Sequence, residues 1–152
     1  MSRTPDADDS TRADRRRARR RLLWQLSLGA LSLVFVGVGT LHFVRPDDFV
    51  AIIPPFLPAP LLLVYVSGVA EIGLGLAVLH PRTRRLAAWG LVALLIAVYP
   101  ANIYHAVADV PVGGSHAPLV YHVVRLPLQL VLIWWAWRFT RPRRAPVVAS
   151  MA

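Results

Sequence analysis

Eight polar side chains interrupt otherwise apolar stretches of this sequence: His42, Ser67, Glu71, Asn102, His105, His122, Arg125 and Gln129. Together they can exchange a proton, form an ion pair or donate hydrogen bonds to a polar head group. Glu71 is the centre of the set. It lies in an apolar run from Ala59 to Leu79, about 20 residues, enough to cross a bilayer core as a helix. A carboxylate at that depth is costly unless it is paired, hydrogen-bonded or protonated, so it must face the inside of a bundle. Ser67, Glu71 and Gly75 recur every fourth residue and share one side of a helix. His122, Arg125 and Gln129 share a side of another, and Asn102 and His105 a side of a third. His42, His105, His122 and Glu71 are metal-ligand types, but no two have the i, i+4 spacing of ligands on one helix, which disfavours a metal site. Nor is there a self-contained catalytic motif. Cysteine is absent, which excludes disulfides, iron–sulfur ligation and covalent c-type haem on this chain alone.

The elements that hold these residues follow from the apolar pattern. The chain has 152 residues, 56% of them hydrophobic, and its charges gather at the ends and in the turns. Four spans are expected, at residues 22–44, 59–79, 86–107 and 118–139, giving an all-α, up-down-up-down four-helix bundle in a membrane. Gly29, Gly37 and Gly39 in the first span, and the Ala93/Ala97/Ala101 stripe in the third, are candidate points of close helix approach. The five prolines of residues 45–60 forbid a continuous helix there, and Phe49, Ile52, Ile53 and Phe56 suit a short interfacial segment that can cover the site as a lid. Pro100 predicts a kink in the third span. Trp134, Trp135 and Trp137 suit an interface belt.

The net charge of +9 comes from 17 arginines, with no lysine. They flank apolar spans instead of covering one face of a soluble domain, which argues against nucleic-acid binding and for topology signals and contacts with anionic lipid. Eight precede the first span, three lie in the 80–85 turn and four at the C-terminal end. The other two connections hold Arg45 alone against Asp47, Asp48 and Asp109. That distribution places both termini in the cytoplasm. Residues 1–21 are too polar to fold alone and are expected to be a disordered basic tail, with a second basic tail at 140–152.

Depth brings the polar set together. Glu71 lies about 16 Å below the outer end of its span, and Arg125 about 10 Å below the outer end of the fourth. Spans two and four are diagonal and parallel, so a Glu71–Arg125 ion pair across the core is expected. His42, Asn102, His105 and Gln129 complete an outer-half layer, read as a binding pocket for a polar head group. The competing reading is a structural network that fixes helix register.

Several strings in the chain are similar to those of the DoxX-like membrane proteins. They are Gly39-Thr-Leu-His-Phe43 followed by Pro46, Pro54-Pro-Phe-Leu-Pro58, Ser67-Gly-Val-Ala-Glu-Ile-Gly-Leu-Gly75, Pro81-Arg-Thr-Arg-Arg85, Pro100-Ala-Asn-Ile-Tyr104 and Arg125-Leu-Pro-Leu-Gln129. The resemblance covers about residues 25–140. It implies a four-span protein of the plasma membrane found with redox machinery, an accessory subunit of an oxidoreductase with a redox partner protein. Relatives of that kind include the membrane subunit of a thiosulfate:quinone oxidoreductase, which makes a quinone the candidate non-covalent ligand and His42, Glu71, Asn102, Arg125 and Gln129 its candidate site. A homo-oligomer and a non-enzymatic scaffold that recruits a partner through its basic ends are also compatible with the residues.

Overall fold

The structure is a computed structural model that describes the backbone of residues 6–141 and the side chains of residues 11–141. Its elements are α1 (Asp6–Val44), α2 (Pro46–Val50), α3 (Pro60–Ala77), α4 (Arg84–Ala108) and α5 (Leu119–Trp137). All but α2 are long and apolar enough to cross a membrane. The fold is an all-helical four-helix bundle, and the 80–83 turn makes α3 and α4 antiparallel neighbours. We call the end that carries this turn the arginine end, and the opposite end the loop end.

Helix boundaries follow local chemistry. Pro60 starts α3 at a position where a missing N–H costs nothing. Past its C-terminus the free carbonyls are capped by side chains: Thr83 Oγ1 donates to Ala77 O at 2.7 Å, Arg84 Nε to Val78 O at 3.0 Å and Arg84 Nη2 to Leu79 O at 2.8 Å. The α4 helix stops where Asp109 turns left-handed at φ 45°. A tight Val112–Ser115 bridge follows, with Gly113 and Gly114 at φ 61° and 81°, the conformation such two-residue turns require. Pro100 and Pro127 both sit inside helices that continue past them.

The expected disordered tail differs most. Residues 6–21 continue α1 as helix, and side chains 11–21 are all exposed. Arginine and alanine are strong helix formers, and a formed span downstream removes the need for a separate nucleus. The C-terminal tail expected at 140–152 lies outside the described residues from 142 onward, while Phe139 and Thr140 are buried.

Packing divides the bundle into two tight pairs, α1 with α3 and α4 with α5, joined through α3 and α4. The first pair crosses at two glycines. A Cβ on Gly39 would lie 2.8 Å from the Gly68 carbonyl oxygen, and one on Gly68 would lie 2.8 Å from His42 Cβ. Phe43 stacks on Tyr65 one turn further along, at 5.5 Å between ring centroids. Gly29 and Gly37, by contrast, face open space, and Ala93 and Ala97 are exposed, so these expected approach points are not used within the chain.

The apolar core is concentrated near the arginine end. It comprises Leu28, Leu31 and Phe35 of α1, Val78, then Ala87, Ala88, Leu91, Val92 and Leu95 of α4, and Ala136 with Phe139. Trp135 Nε1 donates to Ser27 Oγ at 2.8 Å and ties α5 to α1 there. Outward-facing side chains are large and apolar, with Leu86 78% and Val107 82% exposed. Such a surface is stable only in an apolar surrounding, so these helices contact lipid.

Candidate functional site

The polar side chains occupy the half of the bundle toward the loop end, and the two helix pairs divide them. In the α1–α3 pair, Glu71 is 6% exposed beneath the Gly39–Gly68 crossing. His42 lies beside it, with its Nδ1 3.6 Å from Glu71 Oε2. The same Nδ1 donates to Val38 O at 2.9 Å, which fixes the proton on that nitrogen. Glu71 Oε2 is buried without a hydrogen-bond partner. Phe49 of α2 stacks on the His42 ring at 3.8 Å and covers the pair from the loop side. Its expected companion in the lid, Phe56, is 79% exposed and takes no part.

In the α4–α5 pair, Asn102 Nδ2 donates to Gln129 Oε1, and Gln129 Nε2 donates to Leu95 O at 2.7 Å. Pro100 deprives the Ile96 carbonyl of its helical donor, and Gln129 binds the α4 backbone one residue before it. Nearer the loop end His105 is 2% exposed, with both ring nitrogens lacking a hydrogen bond. The Val110 backbone lies close to the ring without forming a bond of normal geometry. His122 meets His105 edge-on at 4.7 Å, and Tyr121 does so at 6.0 Å. Arg125 Nη1 donates to the Tyr121 hydroxyl one turn back on its own helix.

The expected Glu71–Arg125 ion pair is therefore absent. Diagonal helices in a bundle reach each other only if no nearer partner intervenes. The glycine crossing draws α1 so close to α3 that His42 takes the place beside Glu71. Arg125, on the far pair, turns to Tyr121 and to a cavity between the pairs.

That cavity has a volume of about 420 Å³ and lies at the loop end. Leu41, Phe49 and Ile52 form one wall, and His105, Tyr121 and Arg125 the other, with the 112–118 loop above. Across the top, the loop is braced by His116, whose Nδ1 donates to Asp109 O at 2.8 Å and lies 3.1 Å from Asp109 Oδ2. Of the six sequence-selected site residues, the cavity gathers His105 and Arg125. His42, Glu71, Asn102 and Gln129 sit behind its walls, engaged with one another or with backbone. Tyr121 was missed as a site residue, although its i, i+4 spacing to Arg125 puts both on one helix face. Among the described residues no three of His, Asp or Glu converge as metal ligands. Chemically, the cavity offers a guanidinium, a phenol and an imidazole against a mostly apolar wall, with the Arg45–Asp48 pair, Ser115 and His116 also on its lining.

Comparison with known proteins gives a family and nothing more specific. No curated protein matches the chain, and no solved structure does. A family model described as "Domain of unknown function (DUF8561)" matches residues 31–140, from the middle of α1 to the buried turn after α5, and the chain belongs to that family.

Proposed function

We propose that this protein is a DoxX-like subunit of the plasma membrane that serves a redox system by holding a quinone-like head group in the loop-end cavity. The observation that carries this reading is His105: a buried imidazole with two unbonded nitrogens, lining a cavity beside Tyr121 and Arg125 and opposite Leu41, Phe49 and Ile52. Head-group pockets are mostly apolar with a few placed donors, and about 300–1,000 Å³ is their usual size. Quinone carbonyl oxygens would accept from Arg125 and from the His105 N–H, while Leu41, Phe49 and Ile52 enclose the ring. No side chain here carries electrons, so a partner protein would supply or withdraw them. Binding of a short-chain benzoquinone to the purified protein tests this directly. Arg125→Gln should weaken it about tenfold or more, since a hydrogen bond from a charged group contributes about 1.5–3 kcal/mol, and His105→Leu about two- to tenfold, for a neutral donor's roughly 0.5–1.5 kcal/mol. Absence of saturable binding to the unaltered protein would sink the proposal.

The alternative is a non-enzymatic scaffold, favoured by the mutual engagement of His42 with Glu71 and of Asn102 with Gln129. In that case the cavity variants would keep full cellular function, and loss of the basic ends would abolish partner recruitment.

Arginine placement supports an orientation with both termini cytoplasmic and the cavity facing outward. With single cysteines in this cysteine-free chain, an impermeant thiol reagent on intact cells should label Ser115→Cys and spare Ser10→Cys. The reverse pattern would invert the topology.

A further inference from the structure

The arginine end holds a second cavity of about 420 Å³ that plays no part in the site above. Its floor is aromatic: Trp24 and Phe139 meet edge-on at 5.6 Å. Its rim is cationic, formed by Arg84 and Arg85 at the start of α4 and by Arg138 and Arg141 just past α5. Three of the four guanidiniums are stacked on rings, Arg84 on Trp24 at 4.7 Å, Arg138 on Trp134 at 5.1 Å and Arg141 on Trp137 at 4.2 Å. Stacking fixes the arms and leaves guanidinium edges available for hydrogen bonds. Arg84 is further held by its bonds to Val78 O and Leu79 O. It therefore serves as a wall, and Arg85, Arg138 and Arg141 are the exposed donors.

No acidic side chain among the described residues answers them. Among the described residues Arg85, Arg138 and Arg141 have no carboxylate partner, and Asp47, Asp48 and Asp109 are at the loop end. Asp14 is ten residues before Trp24 on α1, about 15 Å away along the helix. Like charges from two different helices would repel around this cleft unless an anion sat between them. The cleft also lies where the apolar helices end, at the level of lipid head groups. An apolar floor beneath a guanidinium rim matches a phosphate that carries a hydrocarbon body.

We propose that this cleft is a phosphate site, filled in the bilayer by the head group of an anionic phospholipid. Guanidiniums bind phosphate oxygens in pairs, so Arg85 from one side and Arg138 and Arg141 from the other would clamp it.

Titration of the full-length protein in neutral detergent, followed by native mass spectrometry, tests the site with three probes: phosphatidylglycerol, phosphatidylcholine and inorganic phosphate. One phosphatidylglycerol should bind at least tenfold more tightly than phosphatidylcholine. Combined Arg85→Gln, Arg138→Gln and Arg141→Gln should remove that preference. Because stacked arginines also contribute packing, Arg85→Gln alone, whose guanidinium stacks on no ring, should weaken binding at least threefold. The arginines of the α1 extension serve as the control, and Arg15→Gln, Arg16→Gln and Arg19→Gln together should change it less than twofold. Saturation by inorganic phosphate that then blocks the lipid would support the site and assign it to soluble phosphate. Equal loss in the control variant, or no preference over phosphatidylcholine, would show a diffuse positive field and overturn it.

Discussion

Gly39→Val is expected to separate α1 from α3 and remove most of the folded protein from a detergent extract. The Cβ alone would stand 2.8 Å from the Gly68 carbonyl oxygen and 2.9 Å from Glu71 Cβ, and neither can retreat, since one is backbone and the other is anchored in the crossing. Overpacking in a close-packed interior costs about 1–3 kcal/mol where neighbours can shift, and more where they cannot. Gly39→Ala should already show a loss in that range, although alanine is the better helix former. Gly73 provides the comparison: nothing lies within 4 Å of its Cβ position, so Gly73→Ala should be neutral or gain up to about 1 kcal/mol. Unfolding in mixed micelles of denaturing and mild detergent measures both. Equal effects at the two glycines would mean that the crossing does not bring the helices together.

A double-mutant cycle is expected to find coupling between Glu71 and His42 and none between Glu71 and Arg125. Removing one member of this buried pair leaves the other polar group without its neighbour in the core, at a cost of about 1–3 kcal/mol. Once either is gone, the second removal should cost much less, giving an interaction energy of about 1–3 kcal/mol for Glu71→Gln with His42→Leu. Arg125 belongs to the other helix pair and has Tyr121 as its partner. Its losses should add to those of Glu71 within about 0.5 kcal/mol. Strict additivity for His42 and Glu71 would mean that the carboxylate does not feel the imidazole.

These two experiments bear on what could be read from sequence alone. Four apolar runs of sufficient length, with arginines at their ends, leave few alternatives to a four-helix membrane bundle, because the bilayer sets span length and forbids unpaired backbone. The placement of polar groups in one half of that bundle was also legible, since depth follows from residue count. Partnership was not. Glu71 and Arg125 are at compatible depths, but depth says nothing about rotation of each helix or about which pairs close most tightly. Gly39 and Gly68 determine that, and in the sequence they look like Gly29 and Gly37, whose Cβ positions face open space. The same gap hid the role of Tyr121, which took meaning only once Arg125 had turned toward it. Helical continuation of α1 through Arg15–Arg21 was missed for another reason: composition reports whether a segment can fold alone, whereas this one adds onto a helix already formed.

The uneven distribution of the core has a mechanical consequence. At the arginine end Leu31, Val78, Ala88, Leu91 and Ala136 are completely or almost completely buried, and Trp135 is latched to Ser27. Toward the loop end the two helix pairs face each other across a void bordered by a histidine with idle nitrogens. Resistance to opening follows local packing, so a bundle built this way is a pair of tongs with its fulcrum at the arginine end. Small rotations there, too slight to disturb the packed layer, become larger displacements at the tips, where Phe49 and the 112–118 loop sit. Anything lodged between the tips would be gripped or released by the angle between two rigid arms, without either arm having to unfold.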